Sequence, residues 1–495
     1  MALEKKSFKS MKAKRYNEGD VRQPQWVIDI KQEETDELDF GKSWTIYRVP
    51  TNLLEVHKNA FIPKTISIGP FHYRDVRYKV MEEHKKRFLF LLLGYDNKDQ
   101  DGDFGGYNLV ELDSIVSLMN GLEKRTRECY SEKFINISSD DFVRMMVMDG
   151  CFVIQLLRLY HKFCTSDSIQ ERVVDDPIFT TRWMLRALQR DLMMIQNQLP
   201  FFLLQELYRL VTSNPRKGCD VDNISLIDLT LKFFDPLLPK DENQNVELDP
   251  DPEEYRHLLH LFRKSFISSI KHRKPLKART GSTVTKPIFH SQQRNQNTRS
   301  KQDSHFIHSV TELNEAGLKF LEKSENSNID MFDVEYHNGV LKIPTLFIDD
   351  NTVPLFMNFI AYEQCDNDAT PYFTNHFMLF DRLVNSIKDV EVLHRTGIIH
   401  SVFGSEKSVA DFINKLCREI VYNVDNCHLS EQMKGVNDYY RAYYSNKWYV
   451  WWTRLVRDYF SSPWTILSLL AATILLLFTA AQTFYALYGY YKPPK

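Results

Sequence analysis

Apolar residues recur at every third or fourth position along several segments of the chain. Such spacing places side chains on one face of an α-helix, so these stripes predict helices that turn an apolar face towards a core. The clearest stripes consist of Leu112, Ile115, Met119 and Leu122, then of Phe142, Met145, Met148, Phe152, Leu156 and Tyr160, and then of Leu185, Leu188, Leu192, Ile195 and Leu199. Pro200 should break the third helix before another one from Phe202 to Val211. Further helices are expected over residues 77–93, 353–365, 377–389 and 409–421.

A different period appears near residues 330–350. Phe332, Val334 and Tyr336 alternate with polar residues, and Asn338-Gly339 follows them. Asn-Gly between alternating segments favours a two-residue turn with two positive φ angles, so a β-hairpin is predicted here. The fold class expected is therefore mainly α, a large helical soluble region with a small β-hairpin or sheet element.

The end of the sequence carries a long apolar segment. No residue from Tyr459 to Tyr491 is charged, and within Trp464 to Tyr485 only Gln482 is strongly polar. A bilayer core of about 30 Å needs about 20 apolar helical residues. Aromatic residues lie on both sides of the segment, as is typical of spanning helices. We predict one C-terminal transmembrane helix with ends at Trp464 and Tyr485; the alternative is a buried core helix, which usually shows a polar stripe.

These patterns divide the chain into five parts. They are a mobile polar arm over 1–43, a helical part over 44–270, a basic disordered linker or insertion over 271–305, a second part with the hairpin over 306–458, and a membrane anchor over 459–495. The linker is assigned because residues 271–301 hold nine Lys or Arg and no Asp or Glu. Such a composition disfavours a packed core.

Charge and cysteine content indicate which partners and which cellular compartment the chain is suited to. The 63 basic and 65 acidic residues nearly cancel, so no nucleic-acid partner is indicated. Seven dispersed cysteines favour reduced, mostly buried thiols in the cytosol; paired cysteines in an extracellular domain are the alternative. The basic N-terminal residues lack the apolar run of a secretory signal, which favours a tail-anchored protein with a cytosolic domain. The short, weakly basic tail after the membrane helix favours the plasma membrane or endoplasmic reticulum. Asn136 and Asn223 begin glycosylation triplets that would be used only in a lumenal domain.

No motif for catalysis, for a cofactor or for a metal ion is recognised in the sequence. The usual nucleophile, zinc-protease, dinucleotide and kinase patterns are absent, and no cysteines have zinc-ligand spacing. His72, His84, His161 and His376 are isolated, and we expect most of them to be exposed or hydrogen-bonded. The sequence therefore predicts no enzyme, no cofactor and no metal site.

Several short segments occur in an order that resembles one family. They are Tyr47 to Pro50, Ser67 to His72, Met81 to Lys85, Asp149 to Phe152, Gln196 to Phe202, Thr311 to Leu313, Ala361 to Cys365 and Asp458 to Trp464. Together they resemble the plant proteins of domain of unknown function 247, also called uncharacterised protein family 0481. The family's usual Glu-Asn-Gln-Leu-Pro has Gln196 in place of Glu, and we expect Gln196 to be buried and hydrogen-bonded at a helix break.

The resemblance implies a plant membrane protein of undefined activity; some members are candidate self-incompatibility determinants. We therefore expect a single-pass protein held in the bilayer through 464–485, acting in recognition or signalling through protein partners. A homo-oligomer is compatible with the small residues in the membrane segment. The alternative is an enzyme with an unrecognised active site in the helical domain.

Overall fold

The computed structural model describes nine stretches of the chain. They are residues 44–94, 110–165, 176–213, 224–238, 248–267, 307–323, 330–422, 427–445 and 463–491. The predicted arm over 1–43, the predicted linker over 271–305 and the glycosylation candidate Asn223 lie outside these stretches.

The first part of the chain is a helical bundle around one long helix. Its α-helices are α1 Thr51–Val56, α2 Lys58–Phe61, α3 Lys79–Leu92, α4 Leu112–Glu128, α5 Ser139–Thr165, α6 Pro177–Thr180, α7 Met184–Asp191, α8 Phe201–Thr212, α9 Leu226–Phe234 and α10 Leu258–Ile267. Short 3-10 helices cover Pro70–His72, Val76–Tyr78, Asp235–Leu237 and Pro252–Glu254. Helices α3, α4, α8 and α9 all pack on α5, of whose 27 residues 17 are buried. Large apolar residues on several faces of α5 suit this central position.

The second part combines helices with two small sheets. Its helices are α11 Val310–Glu315, α12 Thr352–Cys365, α13 Tyr372–Leu383, α14 Ile387–Arg395, α15 Glu406–Leu416 and α16 Ser430–Ser445. Its strands are β1 Lys319–Glu322, β2 Glu335–His337, β3 Val340–Ile343, β4 Leu346–Ile348 and β5 Ile399–Ser401. One sheet has the order β1-β3-β2, and the other pairs β4 with β5 in parallel.

The predicted hairpin is confirmed. Strands β2 and β3 pair antiparallel with Tyr336 opposite Leu341. Asn338 and Gly339 join them with φ angles of 46° and 78°, the left-handed conformation that this two-residue turn requires. The sequence did not indicate β1, which pairs with β3 in parallel and so depends on a connection between distant segments.

The two parts share a contiguous hydrophobic core. Asn358 of α12 is 1% exposed and connects them by hydrogen bonds. Its Nδ2 donates to the carbonyl oxygen of Ala60 at 2.8 Å, and its Oδ1 accepts from the Ile195 amide at 2.9 Å. A buried amide with its partners on two other segments fixes how those segments pack.

Three predicted helices end earlier than expected. The third stripe was predicted to be helical as far as Leu199, but α7 ends at Asp191 and an irregular segment follows. Asn197 explains part of this difference, because its Nδ2 donates to the Asp191 carbonyl at 2.9 Å and competes with helical bonding. The helix predicted over 377–389 is interrupted at Ser386, which starts α14 with a capping box. The helix predicted over 409–421 ends at Leu416.

The last helix, α17, covers Pro463–Tyr491. Among the described residues, one helical segment is long and apolar enough to cross a membrane, namely the 25 residues Trp464–Tyr488. At 1.5 Å per residue this segment is about 37 Å long, enough for a bilayer core of about 30 Å. None of it is buried.

Candidate functional site

A cleft of about 330 Å³ opens between residues 67–79, the first turns of α3 and the middle of α5. We call it the Lys85 cleft. Its lining consists of Ser67, Gly69, His72, Tyr73, Arg74, Asp75, Val76, Tyr78, Lys79, Glu82, Lys85, Arg144, Met145, Met148 and Asp149. Its volume is at the lower end of the range for small-molecule sites, about 300–1,000 Å³.

A buried ion pair forms the floor of the cleft. The side chains of Lys85 and Asp149 are each 3% exposed, and Nζ lies 2.7 Å from Oδ1. Lys85 Nζ also donates to the Ser67 carbonyl at 2.6 Å and to Glu82 Oε1 at 2.7 Å. An ammonium group has three N–H donors, so all three are used. The pair connects α3 to α5 and holds the segment before the first 3-10 helix against both.

The charges around Lys85 decide its protonation. Burial alone lowers the pKa of the Lys85 ammonium, but the carboxylates of Asp149 and Glu82 outweigh it, and the pKa is raised above its ordinary value. Lys85 therefore remains a cation at neutral pH. Burial raises the pKa of Asp149, whereas the Lys85 ammonium and the Gly69 N–H oppose that shift.

Gly69 has a position that only glycine fits. Its φ is +75°, and a Cβ there would lie 2.9 Å from the Gln198 carbonyl oxygen. This close approach lets the Gly69 amide donate to Asp149 Oδ2 at 2.8 Å. The Ser67–His72 segment and the Asp149–Phe152 segment thus meet through a backbone hydrogen bond to a buried carboxylate.

The walls of the cleft are mainly apolar and aromatic. Met145 is buried and Met148 is half-buried. Tyr78 is 2% exposed, and its hydroxyl donates to the Pro63 carbonyl at 2.6 Å. Burial, followed by the charge of Arg77, lowers the pKa of His72 to about 4. The imidazole is therefore neutral at pH 7, and its buried Nε2 has no hydrogen-bond partner within the described chain.

Two charged residues at the mouth of the cleft, Arg74 and Asp75, form ion pairs with residues outside the lining. Arg74 Nη2 lies 2.8 Å from Asp141 Oδ1, and Arg77 Nη2 lies 2.6 Å from Asp75 Oδ2. Hydrogen bonds from Arg77 lower the pKa of Asp75 to about 2. The charges of Arg74 and Asp75 are therefore each balanced by a neighbouring side chain of opposite sign.

Two cations remain in the lining. Lys79 and Arg144 are both exposed, and neither has an ion-pair partner in the parts of the chain that the structure describes. The cleft thus combines a saturated ionic floor, apolar walls and two free positive charges.

A second buried ion pair lies in the closed interior. The side chains of Arg263 and Glu363 are 5% and 0% exposed, with Nη2 2.6 Å from Oε1. Glu363 Oε2 accepts from the Thr374 amide and hydroxyl at 2.7 Å, and Oε1 accepts from the Phe373 amide at 3.1 Å. Arg263 also donates to the Thr370 carbonyl. This cluster ties α10 to α12 and to the start of α13, so its role is structural.

Gln196 is buried at 3% exposure, as expected at a helix break. We also expected Gln196 to be hydrogen-bonded, but its Nε2 has no hydrogen-bond partner among the described residues. The neighbouring Asn197 bonds fully, with Oδ1 accepting from the Ile68 amide at 2.6 Å and Nδ2 donating to the Ile66 carbonyl at 3.1 Å. The polar residues of this motif thus hold the backbone around the cleft.

The remaining sequence candidates lie apart from the cleft. Trp464 and Tyr485 are 76% and 72% exposed on α17. Asn136 is exposed in a turn before α5, where it is accessible to modification.

Most of the four isolated histidines were expected to be exposed or hydrogen-bonded. Among the described residues, His72, His161 and His376 each have a buried ring nitrogen without a hydrogen-bond partner, so that prediction is wrong.

The sequence did not bring Lys85 and Asp149 together. Both stand in the segments that carry the family resemblance, but 64 positions separate them and charge alone names no partner. Within the described residues, no group of three or more His, Cys, Asp or Glu could hold a metal ion.

The chain is thus a mainly helical protein with a small β element, an ionic cleft and one C-terminal helix long and apolar enough to cross a membrane. Residues 46–478 match the profile of the family DUF247, described as "Plant protein of unknown function". The chain belongs to this family, which confirms the resemblance.

Two relatives from Arabidopsis thaliana are similar over most of their length. The UPF0481 protein At3g47200 is 29% identical over 461 residues, which cover 92% of this chain and 88% of that protein. The putative UPF0481 protein At3g02645 is 24% identical over 552 residues, which cover 98% of each. No solved structure matches this chain.

Proposed function

We propose that this chain is a single-pass membrane protein, anchored through α17, whose helical domain acts by binding other proteins. The observation that carries the proposal is that no residue of Trp464–Tyr488 is buried. Large apolar side chains along this segment are 42–76% exposed. On the membrane-insertion scale each Leu, Ile, Phe or Val contributes about 0.3–0.6 kcal/mol, so these side chains together favour insertion by several kcal/mol.

The polar side chains of α17 support the same environment. The hydroxyls of Ser468, Thr473, Thr479 and Thr483 each donate to the carbonyl oxygen four residues earlier, at 2.7–2.9 Å. In a bilayer core, polar groups have no water to bond and must be satisfied within the protein. These four hydroxyls meet this condition without a partner helix.

The cytosolic side is the proposed location of the helical domain. The six cysteines in the described stretches are free thiols, the usual state in a reducing compartment. Of these, Cys151 and Cys427 are buried, three are half-buried and Cys164 is exposed. Fewer of them are buried than the sequence suggested.

Binding rather than catalysis is proposed because the ionic groups of the cleft are occupied. All three N–H donors of Lys85 and both oxygens of Asp149 are engaged. The Lys85 ammonium therefore has no lone pair with which to attack a substrate, and each oxygen of Asp149 already accepts a hydrogen bond. The alternative is that the chain is an enzyme. Steady turnover of an added substrate, lost in the D149N variant, would favour that alternative.

Alkaline extraction of membranes tests the anchor. Full-length protein should remain in the pellet, whereas the double variant L476R/L477R should be released, because each Arg at mid-membrane costs about 2.5–3.5 kcal/mol. The matched control L476I/L477I keeps the apolar surface and should remain in the pellet. Release of the unmodified chain would overturn the proposal.

The orientation has its own test at Asn136. In sealed plant microsomes the helical domain should be unglycosylated and accessible to added protease. The N136Q variant should migrate identically to the unmodified protein. A glycan lost only in N136Q would place the domain in the lumen.

Protein binding is tested by native electrophoresis of mild-detergent extracts from plant membranes. The full-length chain should migrate as a complex well above the mass of its 58.5 kDa chain in a detergent micelle. Chemical cross-linking before extraction should preserve the same complex. A monomer under both conditions would contradict an interaction role.

A further inference from the structure

We infer that the Lys85 cleft binds a small organic anion, with its negative group at Lys79 and Arg144 and its apolar body against the cleft walls. The inference rests on the charges and shape of the cleft and goes beyond the proposed anchoring and protein binding. It is independent of both.

The charge accounting selects an anion. Asp75 is neutralised by Arg77, while Glu82 and Asp149 both face the Lys85 ammonium. Glu82 and Asp149 share the single ammonium of Lys85, which leaves one negative charge on the floor. The cleft lining with its ion-pair partners nevertheless holds five cations against four carboxylates. The excess charge of the cleft is therefore positive and favours an anion.

Lys79 and Arg144, unlike the acidic residues of the lining, have no ion-pair partner among the described residues. Both are exposed, and both line the cleft. Arg144 offers a planar fork of donors and Lys79 a compact ammonium, a combination suited to phosphate or carboxylate oxygens. Hydrogen bonds between ionised groups are shorter and stronger than neutral ones.

The walls select an apolar body for the same ligand. Met145 and Met148 come from one face of α5, and the buried ring of Tyr78 adds an aromatic surface to the lining. Methionine adapts to irregular apolar shapes and makes favourable contacts with aromatic rings. A volume of about 330 Å³ holds a single aromatic or short aliphatic group with its anionic head.

The rigidity of the floor fits a preformed site. Lys85 is fixed by three acceptors, and the Gly69 amide fixes Asp149 from the other side. A preformed cleft avoids the entropic cost of ordering its own side chains on binding. The neutral His72, with its unpartnered buried Nε2, offers one further polar contact beside the apolar wall.

The test uses full-length protein in nanodiscs of neutral phosphatidylcholine, with phenyl phosphate as the probe in titration calorimetry. Phenyl phosphate should bind with saturable heat, and phenol, which lacks the charge, should bind at least tenfold more weakly. The double variant K79Q/R144Q should lose at least tenfold in affinity. The control K86Q removes a cation from the same helix, outside the cleft lining, and should bind as the unmodified protein does.

A second arm separates the two sources of such an anion. With about one fifth phosphatidic acid in the nanodisc, loss of phenyl phosphate binding would assign the cleft to a lipid headgroup. Unchanged binding would assign it to a soluble anion. Either result supports an anion site.

Three results would overturn the inference: no saturable binding of phenyl phosphate, equal binding of phenol, or full affinity in K79Q/R144Q. Because both substituted residues are exposed, the variants should unfold at the same temperature as the unmodified protein, which is checked first. Alkaline extraction of K79Q/R144Q remains unchanged, so failure of this inference is distinguishable from failure of the anchor.

Discussion

Helices α5 and α17 are similar in length and both rich in large apolar residues, but they have opposite surroundings. Helix α5 has 27 residues and lies at the centre of the bundle, with 17 of them buried. Helix α17 has 29 residues, and none within Trp464–Tyr488 is buried. Only α5 carries ionised groups in its interior, such as Asp149 with its partner Lys85. Helix α17 contains no charged residue at all, whereas a buried charge with its partner marks α5 as a helix of the protein core.

The largest contrast is expected from one substitution made in each helix. Phe152 of α5 is 0% exposed and Phe478 of α17 is 68% exposed. F152A should lower the free energy of unfolding of the helical domain by about 3–5 kcal/mol, because a large cavity remains. F478A should leave it unchanged. Urea denaturation in mild detergent measures both, and equal effects would break the comparison.

Acid should act on the domain and spare the proposed anchor. Burial lowers the pKa of His257 and of His376 to about 3. Their pKa in the unfolded chain is about 6.5, so the unfolded state binds more protons below that pH, and stability falls as pH falls. Each histidine should cost about 2 kcal/mol between pH 7 and pH 5.

The acid effect is checked by urea denaturation at both pH values. The H376Q variant should lose about 2 kcal/mol of this pH dependence. Residues Trp464–Tyr488 include no acid, base or histidine that titrates in this range, so retention in membranes should not change. An unchanged slope in H376Q, or release of the protein at pH 5, would contradict this account.

A smaller effect is expected from the buried charge that marks α5. D149N keeps the shape of the side chain but leaves the Lys85 ammonium with Glu82 as its one carboxylate. We expect a loss of about 2 kcal/mol, since one partner of a buried charged hydrogen bond is removed. The control E82Q alters a carboxylate that is 45% exposed and should cost under about 1 kcal/mol. Urea denaturation measures both variants. If D149N lowered the free energy of unfolding no more than E82Q does, the buried carboxylate would not be more important than the exposed one.

Local signals were sufficient for much of the fold. The stripes that predicted α4 and α5 depend on neighbours three or four residues apart, and the hairpin depends on Asn338-Gly339 and the alternating residues beside it. Ser386 and Asp389 also form a local signal, a capping box that could have divided the helix predicted over 377–389.

Long-range contacts set the limit of that prediction. Ile195 and Leu199 continue the apolar stripe and are buried as it suggests, yet side-chain bonds from Asn197 hold this segment in an irregular conformation. The cleft was not predictable for the same reason, because its floor depends on Lys85 meeting Asp149 across two helices.

Photolabelling from within the bilayer tests the central claim most directly. Full-length protein is placed in vesicles that contain a lipid with a photoreactive group in its acyl chain, illuminated, digested and analysed by mass spectrometry. The account predicts label on peptides from 464–488 and none on peptides from 139–165, although both helices are rich in large apolar residues. Absence of label from 464–488, with the protein present in the vesicle fraction, would contradict the proposed anchor.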